Sequence, residues 1–110
     1  MANTFTRKLS RGVGTTAAAI GSYTVAANTT VVIVGLTVTN TSGSAITANV
    51  FINDGAANTS VVTSAPISSG ASLIPVGGDQ KIVLLTGDSV YVQSSAASSI
   101  DAILSIMEIT

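Results

Sequence analysis

The chain has no cysteine, no histidine and no tryptophan. Disulfides, thiolate or imidazole metal ligands, and Ser-His or Cys-His nucleophile pairs are therefore excluded, and with them the imidazole that switches charge near neutral pH. Charge is scarce as well. Four basic and five acidic residues make up 8% of 110 positions, where an ordinary soluble domain carries roughly 25%. Aromatics amount to 4%: Phe5, Tyr23, Phe51 and Tyr91. That leaves little for a sugar-stacking platform, and Phe51 and Tyr91 fit a core or sheet face better. No apolar run approaches the roughly 20 residues of a membrane helix; the longest clear one is Val31 to Leu36. The opening MANTFTRKLSRGVG has basic residues but no apolar stretch behind them, so it does not read as a secretory signal. The sequons at Asn28, Asn40 and Asn58 then have no expected use.

What is present is strongly β-forming. Val, Ile and Thr are abundant, hydrophobic residues reach 46%, and branched side chains suit a pleated surface. Short apolar runs are punctuated by Gly, Ser, Asn and Asp at roughly 8–12-residue spacing, the pattern of a sandwich or barrel. No stretch holds a 3.6-residue period long enough for a helix. The expected architecture is all-β: a single antiparallel β-sandwich of about eight strands, jelly-roll-like, with an immunoglobulin-like sandwich as the alternative. Residues 1–14 are expected to form an extended basic N-terminal arm and residues 15–110 the sandwich domain.

Several strands can be placed. Thr30 to Thr39 is long, and Val31 to Val34 is apolar on both faces, which predicts a central strand covered twice. Ile46 to Asn53 puts Ile46, Ala48, Val50 and Ile52 on one face, and Asp54-Gly55 has tight-turn chemistry. Thr15 to Ile20 is a weak strand continuing towards Tyr23 and Val25. Ser60 to Thr63 is short, and Pro66 argues against central pairing there. Leu73 to Val76, Lys81 to Leu85, Ser89 to Gln93 and Ile100 to Ile109 complete the set.

The polar residues do not suggest catalysis. Asp54, Asp79 and Asp88 each neighbour a turn glycine, where Asp usually bonds its own backbone. No spacing pairs two acids across a cleft, and no calcium-loop pattern occurs. Gly12-Val13-Gly14 and Gly77-Gly78 lack the remaining residues of a dinucleotide or phosphate loop. No enzyme, no metal and no cofactor are expected.

Two features point instead to partners. Arg7, Lys8 and Arg11 lie in the arm, whereas the rest of the chain carries one cation against five acids, a net of −4. Such polarity predicts an arm that docks on something acidic; nucleic acid is the weaker candidate, since three cations and Phe5 alone give a small, salt-sensitive affinity. The final strand is apolar on both faces. Ile103, Met107 and Ile109 lie opposite Ile100, Ala102, Leu104 and Ile106, either under a loop or the arm, or at a contact between subunits. The expected docking residues are Phe5, Arg7, Lys8, Arg11, Ile103, Met107 and Ile109. The surface charge normally needed to keep a domain solitary is missing, so much of the exterior is expected to be covered by other copies, trimers before dimers, or by a larger assembly.

The sequence SYTVAANTTVVIVGLTVTNTS (22–42), VFIND (50–54), SAPISSGASL (64–73), GGDQKIVLLTGDSVYVQSS (77–95) and the closing Glu108-Ile109-Thr110, with NTFTRKLSRGVGT at the start, resembles in that order a family of small tailed-bacteriophage virion proteins of marine and cyanobacterial phages. The resemblance implies a non-enzymatic virion component: a capsid decoration or cement protein, or a neck or tail accessory subunit. It implies phage capsid, neck or tail proteins as partners, no membrane, and assembly in the host cytoplasm, where neither signal nor disulfides are needed. A tail-fibre module recognising a host-surface glycan is the alternative. The resemblance transfers no catalytic residues.

Overall fold

A computed structural model of the chain describes residues 2–77 and 80–110; Gly78 and Asp79, and with them the Gly-Gly-Asp turn expected there, lie outside the described residues. Among the described residues, nine strands form two antiparallel sheets. β1 (Asn3–Val13), β9 (Ile100–Ile109), β3 (Thr30–Asn40) and β6 (Ser72–Val76) lie side by side in that order. β7 (Ile82–Leu84) shares the far edge of β3 with β6. The second sheet runs β2 (Ala18–Ala19), β8 (Ser89–Ser94), β4 (Ile46–Asn53) and β5 (Asn58–Ile67).

Most connections cross from one sheet to the other, and only β4–β5 and β6–β7 stay on their own side. An immunoglobulin-like sandwich would place the first two strands in one sheet. Here β1 and β2 lie in opposite sheets, and the interleaved order is the double Greek key of a jelly roll.

Period-two patterning builds the core. β3 buries Val31, Ile33, Leu36 and Val38, and β9 buries Ile100, Ala102, Leu104 and Ile106. From the second sheet, β4 supplies Ile46, Ala48 and Val50, and β8 supplies Val90 and Val92. Pro66 sits on β5, the edge of its sheet, where a missing N–H costs no ladder bond. The predicted weak strand at Thr15 to Ile20 shortens to β2: Thr15 and Thr16 form a bend before it, and a 3₁₀ turn (Ile20–Ser22) with Gly21 at φ 61° ends it and brings the chain back over β1.

Turn chemistry fixes the ends. Asp54 Oδ1 accepts from the N–H groups of Ala56 and Ala57, and Asp88 Oδ2 accepts from Leu85 N–H. Asn40 is fully buried and fully bonded: its Nδ2 donates to the carbonyls of Ser44 and Ile67, and its Oδ1 accepts from Ser42 N–H and Oγ–H. It thereby ties the β3–β4 loop to the end of β5.

The expected arm is extended, but it lies within the fold. Residues 3–10 pair with β9 from Asn3↔Ile109 to Ser10↔Ala102, and after a bulge Val13 pairs with Ile100. Ala2 and Thr110 exchange two further main-chain bonds. β1 is thus the edge strand of the five-stranded sheet, and the boundary expected at 14/15 falls inside the sandwich. β9, itself apolar on both faces, provides the edge on which those residues pair.

Candidate functional site

Strand alternation sorts β1 into two sets. Thr4, Thr6, Lys8 and Ser10 pair with Glu108, Ile106, Leu104 and Ala102, and so share their inward direction. Asn3, Phe5, Arg7 and Leu9 pair with Ile109, Met107, Ser105 and Ile103 on the outer face. The same outer face continues across β3, where Met107 pairs with Val32, and across β7, where Val32 pairs with Val83. Phe5, Met107, Val32 and Val83 therefore form one apolar row four strands wide.

Neighbouring positions widen the row. Ile109 lies beyond it, and Leu9 and Ile103 lie on the other side, where Ile103 pairs with Thr37. Val34, outward by alternation after Val32, is 38% exposed at a bulge where the register shifts between Ile33 and Gly35. Phe5 is 75% and Ile103 46% exposed, and the remaining large exposed apolar residues are Ile74, Val83 and Leu85. All of these belong to β1, β3, β6, β7, β9 or the residue following β7; among the described residues the outer face of the four-stranded sheet contributes none. β3 is central, as its sequence predicts, but it is covered on one face only.

Of the seven expected docking residues, six share this face or its rim. Phe5, Arg7, Ile103, Met107 and Ile109 are cross-strand or diagonal neighbours, and Arg11 lines an open depression of about 160 Å³ with Leu9, Ser10, Asp101, Ala102 and Ile103. Lys8 does not join them. Its Nζ lies 4.8 Å from the centroid of the Tyr23 ring, a cation–π contact on the inner side of β1. Tyr23 in turn donates its hydroxyl to Glu108 Oε2 at 2.6 Å. Burial first, then the hydrogen bond to Glu108 and its negative charge, push the Tyr23 phenol well above its ordinary value. This trio latches β1, the β2–β3 connection and β9 together at one end.

Val32, Val34, Ile74, Val83 and Leu85 are members of the face that the docking set omits. Their signal is visible in Val31 to Val34 and Ile82 to Leu85, two runs without alternation. Such runs fit a strand covered on both sides as well as one left bare.

The opposite outer face is differently built. Phe51 and Tyr91 stack with centroids 5.4 Å apart and planes 12° apart, so each ring offers one face to the other. Asn49 donates to Gln93, and Gln93 donates to the Thr15 carbonyl. Among the described residues there is no group of three or more acids that could hold a metal, and no helix is long and apolar enough to cross a membrane.

Comparison with protein-family models and with curated protein sequences gives no match. Solved structures share the fold at low identity. A subunit of the disulfide-linked pili formed by Bacillus endospore appendages aligns at 17% identity and a TM-score of 0.52, over 100% of this chain and 91% of that one. A chain of the T13 particle of infectious bursal disease virus aligns at 11% identity and 0.57, over 96% of this chain and 30% of that one. A chain of the Gx strain of the same virus aligns at 14% and 0.56, over 96% and 32%. This chain therefore spans about a third of those viral chains. The likeness establishes the jelly-roll sandwich.

Proposed function

We propose that this chain is a non-enzymatic structural subunit of a bacteriophage virion, decorating or cementing the capsid through protein–protein contacts made by the outer face of its five-stranded sheet. The observation that carries the reading is the apolar row Phe5–Met107–Val32–Val83, laid across a face that a solitary sandwich would keep polar. The residue resemblance to tailed-phage virion proteins supports it. So does the use of the same fold in two repeating assemblies, a spore pilus and a virus particle.

Size decides the mode of contact. Three strand spacings by six residues give the densest part of the patch roughly 14 Å by 20 Å, about 300 Å². A stable pairwise interface needs about 800 Å² per partner. The face therefore holds one neighbour weakly, and the subunit acts by touching several, each contact raising the cost of removing the others. Arg7 and Arg11 at the rim supply attraction to acidic neighbours and bias orientation more than affinity.

The test is sedimentation of the purified chain alone and with tailed-phage heads and tails presented separately. Self-association, or co-sedimentation with heads, is expected, and Met107→Lys should abolish it while leaving the β-sheet circular dichroism intact. A chain that is monomeric at millimolar concentration and binds neither heads nor tails overturns the proposal; binding to tails alone moves the subunit to the neck or tail.

A further inference from the structure

We infer that β1 is an exchangeable strand: residues 3–11 of one copy pair with β9 of a neighbouring copy, which returns its own β1 or passes the exchange along a row of subunits. The inference rests on the reading of the chain as an assembling subunit and specifies how two copies join.

The first observation is what β1 does not bury. Its inward side chains are Thr4, Thr6, Lys8 and Ser10, and the only buried residue in the strand is Val13, at its far end. Residues 3–11 are held by main-chain bonds to β9, by outer-face contacts and by a few polar contacts, so their release withdraws no fully buried side chain. Edge segments with so little side-chain burial sit at the low-stability end of a fold.

The second is a pivot. Between Ser10 and Val13 the ladder is broken by a bulge, and Gly12 has φ 61° with no atom near the place of a Cβ. Val13 beyond it is anchored by burial and by its pairing with Ile100. Rotation at Gly12 alone swings residues 3–11 away from the body, where nine extended residues reach about 30 Å. Because pairing uses residues 3–10 themselves, the neighbour's β9 must begin beside the pivot, which places the two copies in direct contact there.

The third is the demand left behind. Without β1, the strand carrying Ala102, Leu104 and Ile106 becomes an open edge, which templates pairing with another strand. A second copy's β1 fits that edge because every partner is duplicated: Met107 for Phe5, Tyr23 for Lys8, the Gly21 N–H for Ser10 Oγ, and the Asp101 carboxylate for Gly12 N–H. Charge favours the same occupant, since three cations on residues 3–11 meet a remainder with one cation and five acids. Exchange of an identical element costs little, because each bond that β1 breaks with its own β9 is remade with the neighbour's. It also ties together subunits whose apolar faces are too small to do so alone.

The chain has no native cysteine, which makes the test clean. Arg7 and Ser105 are direct cross-strand partners, as are Leu9 and Ile103, and such pairs lie within disulfide distance. Two variants, Arg7→Cys with Ser105→Cys and Leu9→Cys with Ile103→Cys, are oxidised at concentrations where the unsubstituted chain self-associates, then run on denaturing gels without reductant. Exchange predicts covalent dimers or a ladder. Adding Gly12→Ala, which strains the closed pivot, should raise the intermolecular share about fivefold. Only monomer bands in both variants, whether the bond is internal or absent, overturn the exchange. If the same sample is oligomeric by native mass, the subunit reading survives that failure; if it is monomeric throughout, both fall.

Discussion

At the scale of the residue, two side chains with opposite burdens set the tolerance of the fold. Asn40 lies in the interior and satisfies two carbonyls and two donors at once. Asn40→Ala strands those groups away from water, and a loss of about 2–4 kcal/mol of unfolding free energy is expected in urea titration. Gly21 is needed for space as well as for its dihedral angle. A Cβ there would stand 2.8 Å from Lys8 Cβ at φ 61°, so Gly21→Ala should cost about 2 kcal/mol and loosen β1. Asp54 gives the sign of the acid response. The N–H groups of Ala57 and then Ala56 hold its carboxyl below the ordinary 3.8, so the folded chain prefers the carboxylate. That stabilisation is present above the unfolded value and disappears as pH falls through the lower folded one. The stability gap between the parent and Asp54→Ala should therefore narrow between neutral pH and pH 2. The Asp54 turn is legible from Asp-Gly alone, because its bonds are local; the role of Asn40 is not, because one partner is Ile67, 27 positions away.

At the scale of the element, alternation reveals most strands directly. Ile46–Asn53 and Ile100–Ile109 are read from sequence with their observed boundaries, since each has a clean apolar face bounded by turn residues. What covers a strand's second apolar face is harder to read. Val31 to Val34 carries the same letters whether its second face is covered by the same chain or by another. β1 is harder still: apart from Val13 it buries no side chain, so its pairing is written in main-chain bonds that leave no hydrophobic trace. Those bonds also make a prediction. In native-state hydrogen exchange, β1 amides bonded to β9 should exchange at least roughly tenfold faster than the β3 amides bonded to β9, because the edge opens without the core. Equal protection would mean that β1 belongs to the global unfolding unit.

At the scale of the whole molecule, nine charges and a formal net charge of −1 leave little electrostatic repulsion between copies. Association through an apolar face should hold steady or strengthen in added sulfate, whereas docking through the arginines alone should weaken with salt. Sedimentation velocity across a salt series distinguishes the two. The alkaline side has its own limit. The folded state keeps the Tyr23 phenol protonated above its ordinary value of 10.0, so that contribution is complete below pH 10 and is lost as pH climbs towards the raised value. Replacing Tyr23 with Phe should remove this alkaline dependence in a pH series of urea midpoints.

The reciprocal bonds between Ala2 and Thr110 bring the two chain ends together. Splicing them through a short turn, and opening new ends in the exposed loop at Asp54–Ala57, would give a circular permutant in which β1 and β9 form a covalent hairpin. Such a molecule keeps every layer of the sandwich while its first strand can no longer leave home, which turns a loosely tethered ribbon into a permanent clasp.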